Sequence, residues 1–178
     1  FVNFVDHATM SIGAVTDTAR GFKTIVGLAD GGGNDLAVLH DGVGNDTYVS
    51  ISDNFSNRGV MIYSSGVTGV AAGFHTTVGL ADGGGVNTAV VHDSQYSDTF
   101  YSYADRQVMF IRSSIYVTSG FNNVIARADG GGDDFAVFFD SLGNDTLSAQ
   151  SSEAVFTYPI GPVVTMQQFR HVTANHTS

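Results

Sequence analysis

Apolar residues in this chain fall in short runs that alternate, residue by residue, with small or polar ones, and Gly- and Asp-rich turns separate the runs. Residues 24–29, 35–40, 47–52, 60–63 and 67–71 are dominated by β-branched and aromatic side chains and read as strands. The turns between them include Asp30-Gly31-Gly32-Gly33, Asp41-Gly42-Val43-Gly44-Asn45-Asp46 and residues 52–59. Gly there supplies positive φ, and Asn or Asp side chains bond their own backbone. No segment sustains the 3.6-residue period of a helix over about ten residues. The second strand is apolar on both faces: Leu36, Val38 and His40 alternate with Ala37 and Leu39, and later Phe135, Val137 and Phe139 alternate with Ala136 and Phe138. That pattern predicts a strand covered on both sides, or one whose outer face meets another subunit. A mildly apolar surface strand is the alternative.

The pattern repeats. Gly21-Phe22-Lys23-Thr24-Ile25-Val26-Gly27-Leu28-Ala29-Asp30-Gly31-Gly32-Gly33 returns at 73–85 and again at 120–132, and the match runs on through residues 35–48, 87–100 and 134–147. The leading Phe residues are 52 and 47 positions apart, and Phe169, Val172 and Ala174 begin a weaker copy. The chain therefore divides into a partial repeat or docking strand (1–20), three full units (21–72, 73–119 and 120–168) and the start of another (169–178). A period near fifty is one supersecondary unit stacked on its neighbours. The expected class is all-β, as a β-solenoid (parallel β-helix) making about two coils per unit with equivalent residues stacked; repeated small β-sandwiches are the alternative.

Composition narrows the function. Of the 178 residues only 13% are charged, yet the formal net charge is −10. Sixteen of the seventeen acids are Asp, Glu153 is the one Glu, and Lys23 is the one Lys. That argues against a helical bundle, which needs Glu and Lys, and against a nucleic-acid binder, which needs a basic face. A hydrophobic content of 43% argues against a disordered acidic tail. No run of apolar residues is long enough for a transmembrane helix. The absence of Cys removes disulfides and thiolate metal sites.

The acidic turns are the candidate chemistry. Asp41-Gly42-Val43-Gly44-Asn45-Asp46-Thr47-Tyr48 and Asp140-Ser141-Leu142-Gly143-Asn144-Asp145-Thr146-Leu147 resemble one half-turn of the RTX-type calcium nonapeptide repeat, with Asp93 to Asp98 as the weaker copy. The resemblance implies calcium at Asp41, Asp46, Asp93, Asp98, Asp140 and Asp145, since Ca²⁺ takes six to eight oxygens from flexible turns. A second set, Asp30 with Asp35, Asp82 with Asn87, and Asp129 with Asp133 and Asp134, is expected to line the same edge as columns of carboxylates. The competing reading is that each Asp caps a turn by accepting backbone amides. The whole-unit pattern is similar to tandem repeats of large secreted surface proteins of bacteria, planctomycetes among them. That resemblance implies an extracellular structural or adhesive role and no catalytic residues.

Other candidates are weaker. The N-x-[ST] triplets at Asn45, Asn54, Asn144 and Asn175 are glycosylation acceptors by pattern. His40 and His92 share a column with Phe139, so packing explains them better than ligation. Phe1, Val2, Phe4 and Val5 form a strand suited to docking on a neighbour, or an ordinary first strand. The resulting expectation is a non-enzymatic repeat segment of an extracellular fibre or adhesin whose partner is itself. The alternatives are a polysaccharide-binding module using Tyr96, Phe100, Tyr101 and Tyr103, and a β-helix polysaccharide lyase or hydrolase.

Overall fold

A computed structural model describes residues 1–53 and 57–175. Ahead of the first unit lie β1 (Val2–Asn3), β2 (His7–Ile12) and β3 (Val15–Arg20). The first unit supplies β4 (Thr24–Leu28), β5 (Leu36–His40), β6 (Thr47–Ser52), β7 (Asn57–Ile62) and β8 (Thr68–Ala72). The second supplies β9 (Thr76–Leu80), β10 (Thr88–His92), β11 (Thr99–Ser102), β12 (Arg106–Ile111) and β13 (Ser114–Ser119). The third supplies β14 (Asn123–Arg127), β15 (Phe135–Phe139), β16 (Thr146–Ala149), β17 (Glu153–Thr157) and β18 (Val163–Gln167), and β19 (His171–Asn175) opens the next. The strands expected in the first unit are all present, the fourth starting a few residues early at Asn57. The described residues contain no helix long and apolar enough to cross a membrane.

The chain winds as a β-solenoid between a ten-stranded and a nine-stranded sheet. Strands from successive turns pair in parallel, as Leu36–His40 does with Thr76–Leu80 and Thr88–His92 does with Asn123–Arg127. Within each unit the last three strands form an antiparallel meander, β6-β7-β8, β11-β12-β13 or β16-β17-β18. Because three strands lie side by side before the chain crosses over, parallel partners are 35 to 44 residues apart. Two coils per unit is therefore incorrect, and antiparallel hairpins sit inside the solenoid. A unit crosses between the sheets three times, an odd number, so equivalent strands change sheet from one unit to the next. Thus β4 and β14 lie in the nine-stranded sheet while β9 and β19 lie in the ten-stranded one.

Side-chain columns follow that alternation. Phe74 packs on Phe1, Phe121 on Tyr48, and Phe169 on Phe100, with ring centroids 5.9, 6.1 and 6.1 Å apart. Each pair joins the leading Phe of one unit to the aromatic at the start of the third strand of the unit two before it. The inner faces bury Ala37, Leu39, Tyr48, Met61, Phe100, Met109 and Phe138 in one continuous core. Gly27 and Gly79 lie against the rings of Phe1 and Tyr48, where a Cβ would stand 2.6 and 2.7 Å from ring carbons. The outer face of the second strand is only partly covered. Its aromatics are shielded sideways within the sheet, Tyr103 stacking on Phe139 at 4.6 Å and Phe135 on His171 at 4.4 Å. It is neither fully buried nor a bare surface strand.

Candidate functional site

The acidic turns meet each other across the coil. The Asp41–Asp46 turn is covered by the Asp82–Asn87 turn of the next unit, and the Asp93–Asp98 turn by the Asp129–Asp134 turn of the one after. At the first junction Asp41 Oδ1 accepts from the amides of Asp82 (2.8 Å) and Gly83 (2.5 Å). At the second, Asp93 Oδ1 accepts from the amide of Gly130 (2.6 Å). The closing Asp folds back onto its own turn: Asp46 Oδ2 accepts from Gly42 N (2.6 Å), Asp98 Oδ2 from Ser94 N (2.6 Å) and Ser94 Oγ (2.7 Å). The D-G-G-G sequence is required because the turn backbones touch. A Cβ on Gly83 or Gly130 would abut the carbonyl of Gly42 or Ser94, and one on Gly85 or Gly132 the carbonyl of Gly44 or Tyr96. The columns expected along one edge are in fact pairs of unlike turns: the first pair lies where the chain passes from the ten-stranded to the nine-stranded sheet, the second where it passes back.

This contact gives a paired prediction. Gly130→Ala is expected to destabilise the fold by about 2 kcal/mol, since both backbones are pinned. Gly31→Ala, the equivalent change where a Cβ would meet nothing within 4 Å, is expected to stay within about 0.5 kcal/mol of the parent. Urea unfolding of the two variants checks it.

Among the differences between the two junctions, one changes the acid–amide pairing. At the first, Asn87 bridges: its Oδ1 accepts from Asp46 N (2.7 Å) and its Nδ2 donates to Asp41 Oδ2 (2.7 Å). The second has Asp134 there. Its Oδ1 still accepts from Asp98 N (2.8 Å), but an ionised carboxylate has no proton to give Asp93. Asp93 Oδ2 and Asp98 Oδ1 are buried without a hydrogen-bond partner among the described residues. The Arg112 amide faces Asp98 but closes no bond on Oδ1. Asp93, Asp98 and Asp134 are each no more than 2% exposed, and one oxygen from each lies within 4.8 Å of the others.

Burial of this cluster favours the neutral acid. Desolvation, reinforced by the charges of Asp134, Asp129 and Asp98, pushes Asp93 up to about 7 against the Gly130 hydrogen bond. Desolvation likewise raises Asp98, Asp134 and, at the first junction, Asp41. A carboxyl whose pKa is higher folded than unfolded binds protons preferentially in the folded state, so its contribution to stability falls as pH rises. For Asp93 that window runs from the ordinary 3.8 to about 7. In chelator-treated protein the melting temperature is expected to drop from pH 5 to pH 8, and Asp93→Asn is expected to flatten the drop. Melting followed by circular dichroism at both pH values checks it.

The remaining candidates are placed as follows. Asp140 and Asp145 keep the local geometry, Asp145 accepting from Ser141 N (2.7 Å) and Ser141 Oγ (2.9 Å), but they are half-buried where their counterparts are buried. Asp134, expected in the second acidic set and not among the six Asp at which the resemblance implies calcium, converges with Asp93 and Asp98; its signal is the Asp35, Asn87 and Asp134 column set against the acidic turn of the preceding unit. Asn45 Oδ1 accepts from Val86 N (2.8 Å), Asn144 is exposed, Asn175 lies in β19, and Asn54 falls outside the described residues. Val2 and Asn3 pair on both sides, antiparallel with β2 and parallel with β5, so the segment from Phe1 to Val5 is built into the chain's own sheet and the free edges lie elsewhere. Phe100 is core, Tyr101 and Tyr103 pack on Phe139, and Tyr96 lies under the Arg112 guanidinium. His40 stacks on Phe4 at 4.4 Å and bonds Asp82 through Nδ1 at 2.9 Å; His92 bonds Asp129 in the same way.

Comparison of the chain with protein-family models, with curated proteins and with solved structures finds no match.

Proposed function

We propose that the chain is a structural segment: a non-enzymatic repeat stack that builds an extracellular fibre or surface adhesin by continuing its coil from unit to unit. The observation that carries this reading is the contrast between interior and end faces. Interior acidic turns are buried under the next unit, and interior leading Phe residues are buried under an aromatic ring. At one end Phe22 is 61% exposed; at the other Leu147 is 43% exposed, in the column where Tyr48 and Phe100 are fully buried. Edge strands at these faces are β3 and β4 at one end and β16 and β19 at the other. Unpaired edges beside apolar surface are templates for further strands.

The edges also match in kind. The leading strand of each unit pairs in parallel with that unit's fifth strand, as β4 with β8, β9 with β13 and β14 with β18. Among the described residues β19 is a leading strand with a free edge, and β3 is a fifth strand with a free edge. A contact between β19 of one copy and β3 of the next is heterologous, and repeated without closure it gives a filament. Sedimentation and electron microscopy of the protein over a range of concentrations test the proposal. The expected result is elongated particles that lengthen with concentration, and compact monodisperse particles throughout would count against it.

A further inference from the structure

We propose that Asp93, Asp98 and Asp134 form a calcium site that staples the second unit to the third. The inference goes beyond the structural role, because a stack can assemble with or without metal. Three observations carry it. The three carboxylates converge, with one oxygen of each inside a 4.8 Å span. That is close enough for a single ion to bridge all three, and calcium accepts the irregular oxygen geometry that turns supply more readily than magnesium, which demands a near-ideal octahedron. Asp93 Oδ2 is a buried acceptor with no hydrogen-bond partner among the described residues, on a side chain 2% exposed. The equivalent junction supplies the control. Where Asn87 replaces the third carboxylate, its Nδ2 gives Asp41 Oδ2 the donor that Asp93 Oδ2 lacks. An amide at this column closes the junction with a hydrogen bond, and a carboxylate closes it with a cation.

The placement is mechanical. Asp93 and Asp98 belong to the turn entering β11, and Asp134 to the turn entering β15. An ion held by all three ties two successive coils at the point where their backbones already touch. The charge is suitable, since three carboxylates facing one another repel and a divalent ion offsets most of that repulsion. Hard oxygen donors on turns are the donor set calcium takes.

The test uses the full chain at pH 7.5, stripped with chelator and titrated with calcium chloride, read by isothermal calorimetry and by melting. One calcium per chain is expected, with a rise in melting temperature of about 5–10 °C at saturation. Asp134→Asn is expected to remain folded, to bind no calcium and to lose the rise, because it installs the Asn87 arrangement. Asn87→Asp is expected to raise the stoichiometry from one to two, so the proposal stands or falls even where one variant folds poorly. No calcium-dependent rise in the parent would overturn the site, as would a rise that survives Asp134→Asn or one that magnesium matches at equal concentration.

Discussion

Phe100→Ala is expected to cost the fold about 3–5 kcal/mol, the ordinary penalty for emptying a packed aromatic site. The side chain is fully buried, lies opposite Met109 on one neighbouring strand and Ala136 on the other, and carries the ring of Phe169 from two units on. The surrounding backbone belongs to paired strands on both sides, so the cavity has little freedom to collapse. Leu147 occupies the same column one unit later, opposite Phe156, but its strand is the last of its sheet. Leu147→Ala is therefore expected to cost less than about 1 kcal/mol. Urea unfolding of the two variants measures the difference. Equal costs would mean that the column does not depend on stacking.

The second large effect is expected from Asn87→Asp. Asn87 is 2% exposed and donates to Asp41 Oδ2 and to the carbonyl of Gly84, while accepting from Asp46 N. A carboxylate keeps the accepted bond, loses both donated ones and sets a buried charge against Asp41. In chelator at pH 7.5 the cost is expected to be about 3 kcal/mol, within the range for leaving a buried charge unpaired. At pH 5 a protonated carboxyl can again donate to Asp41, so the cost is expected to shrink. A loss below about 1 kcal/mol, unchanged by pH, would show that the Asn87 bridge contributes little. Chemical denaturation at the two pH values decides it.

Much of this arrangement was legible in the sequence, and the parts that were not have definite causes. Period-two alternation located the strands, since Ala37 and Leu39 do face inward and Leu36 and His40 outward. Turn chemistry located the junctions, because D-G-G-G marks the places where two backbones touch. The exchange of sheets between units was hidden because it depends on counting crossovers, which no local pattern records. The number of coils per unit was misjudged for a related reason. The antiparallel pairing of β6 with β7 and of β7 with β8 keeps three strands in one sheet, and that consumes residues without advancing the coil. Asp134 was placed in the second acidic set and not with Asp93 and Asp98, because those partners lie in the preceding unit, 41 and 36 positions back along the chain. Whether Phe1 to Val5 docks on a neighbour or forms an ordinary first strand stayed open in the sequence because its neighbours β2 and β5 are brought to it only by the fold.

The central claim is that the stack is modular and that its end faces are joints. Hydrogen exchange at Thr146–Ala149, the edge strand beside the uncovered Asp140–Asp145 turn, tests it most directly. The comparison is between the chain as it stands and a chain in which residues 81–119 are joined after Asn175, so that a copy of the Asp82–Asn87 turn and of β10 can follow β19. If the coil continues, those four residues exchange far more slowly in the extended protein, and Leu147→Ala becomes as costly as a core substitution. Unchanged exchange at Thr146–Ala149, with the added residues themselves unprotected, would contradict the claim.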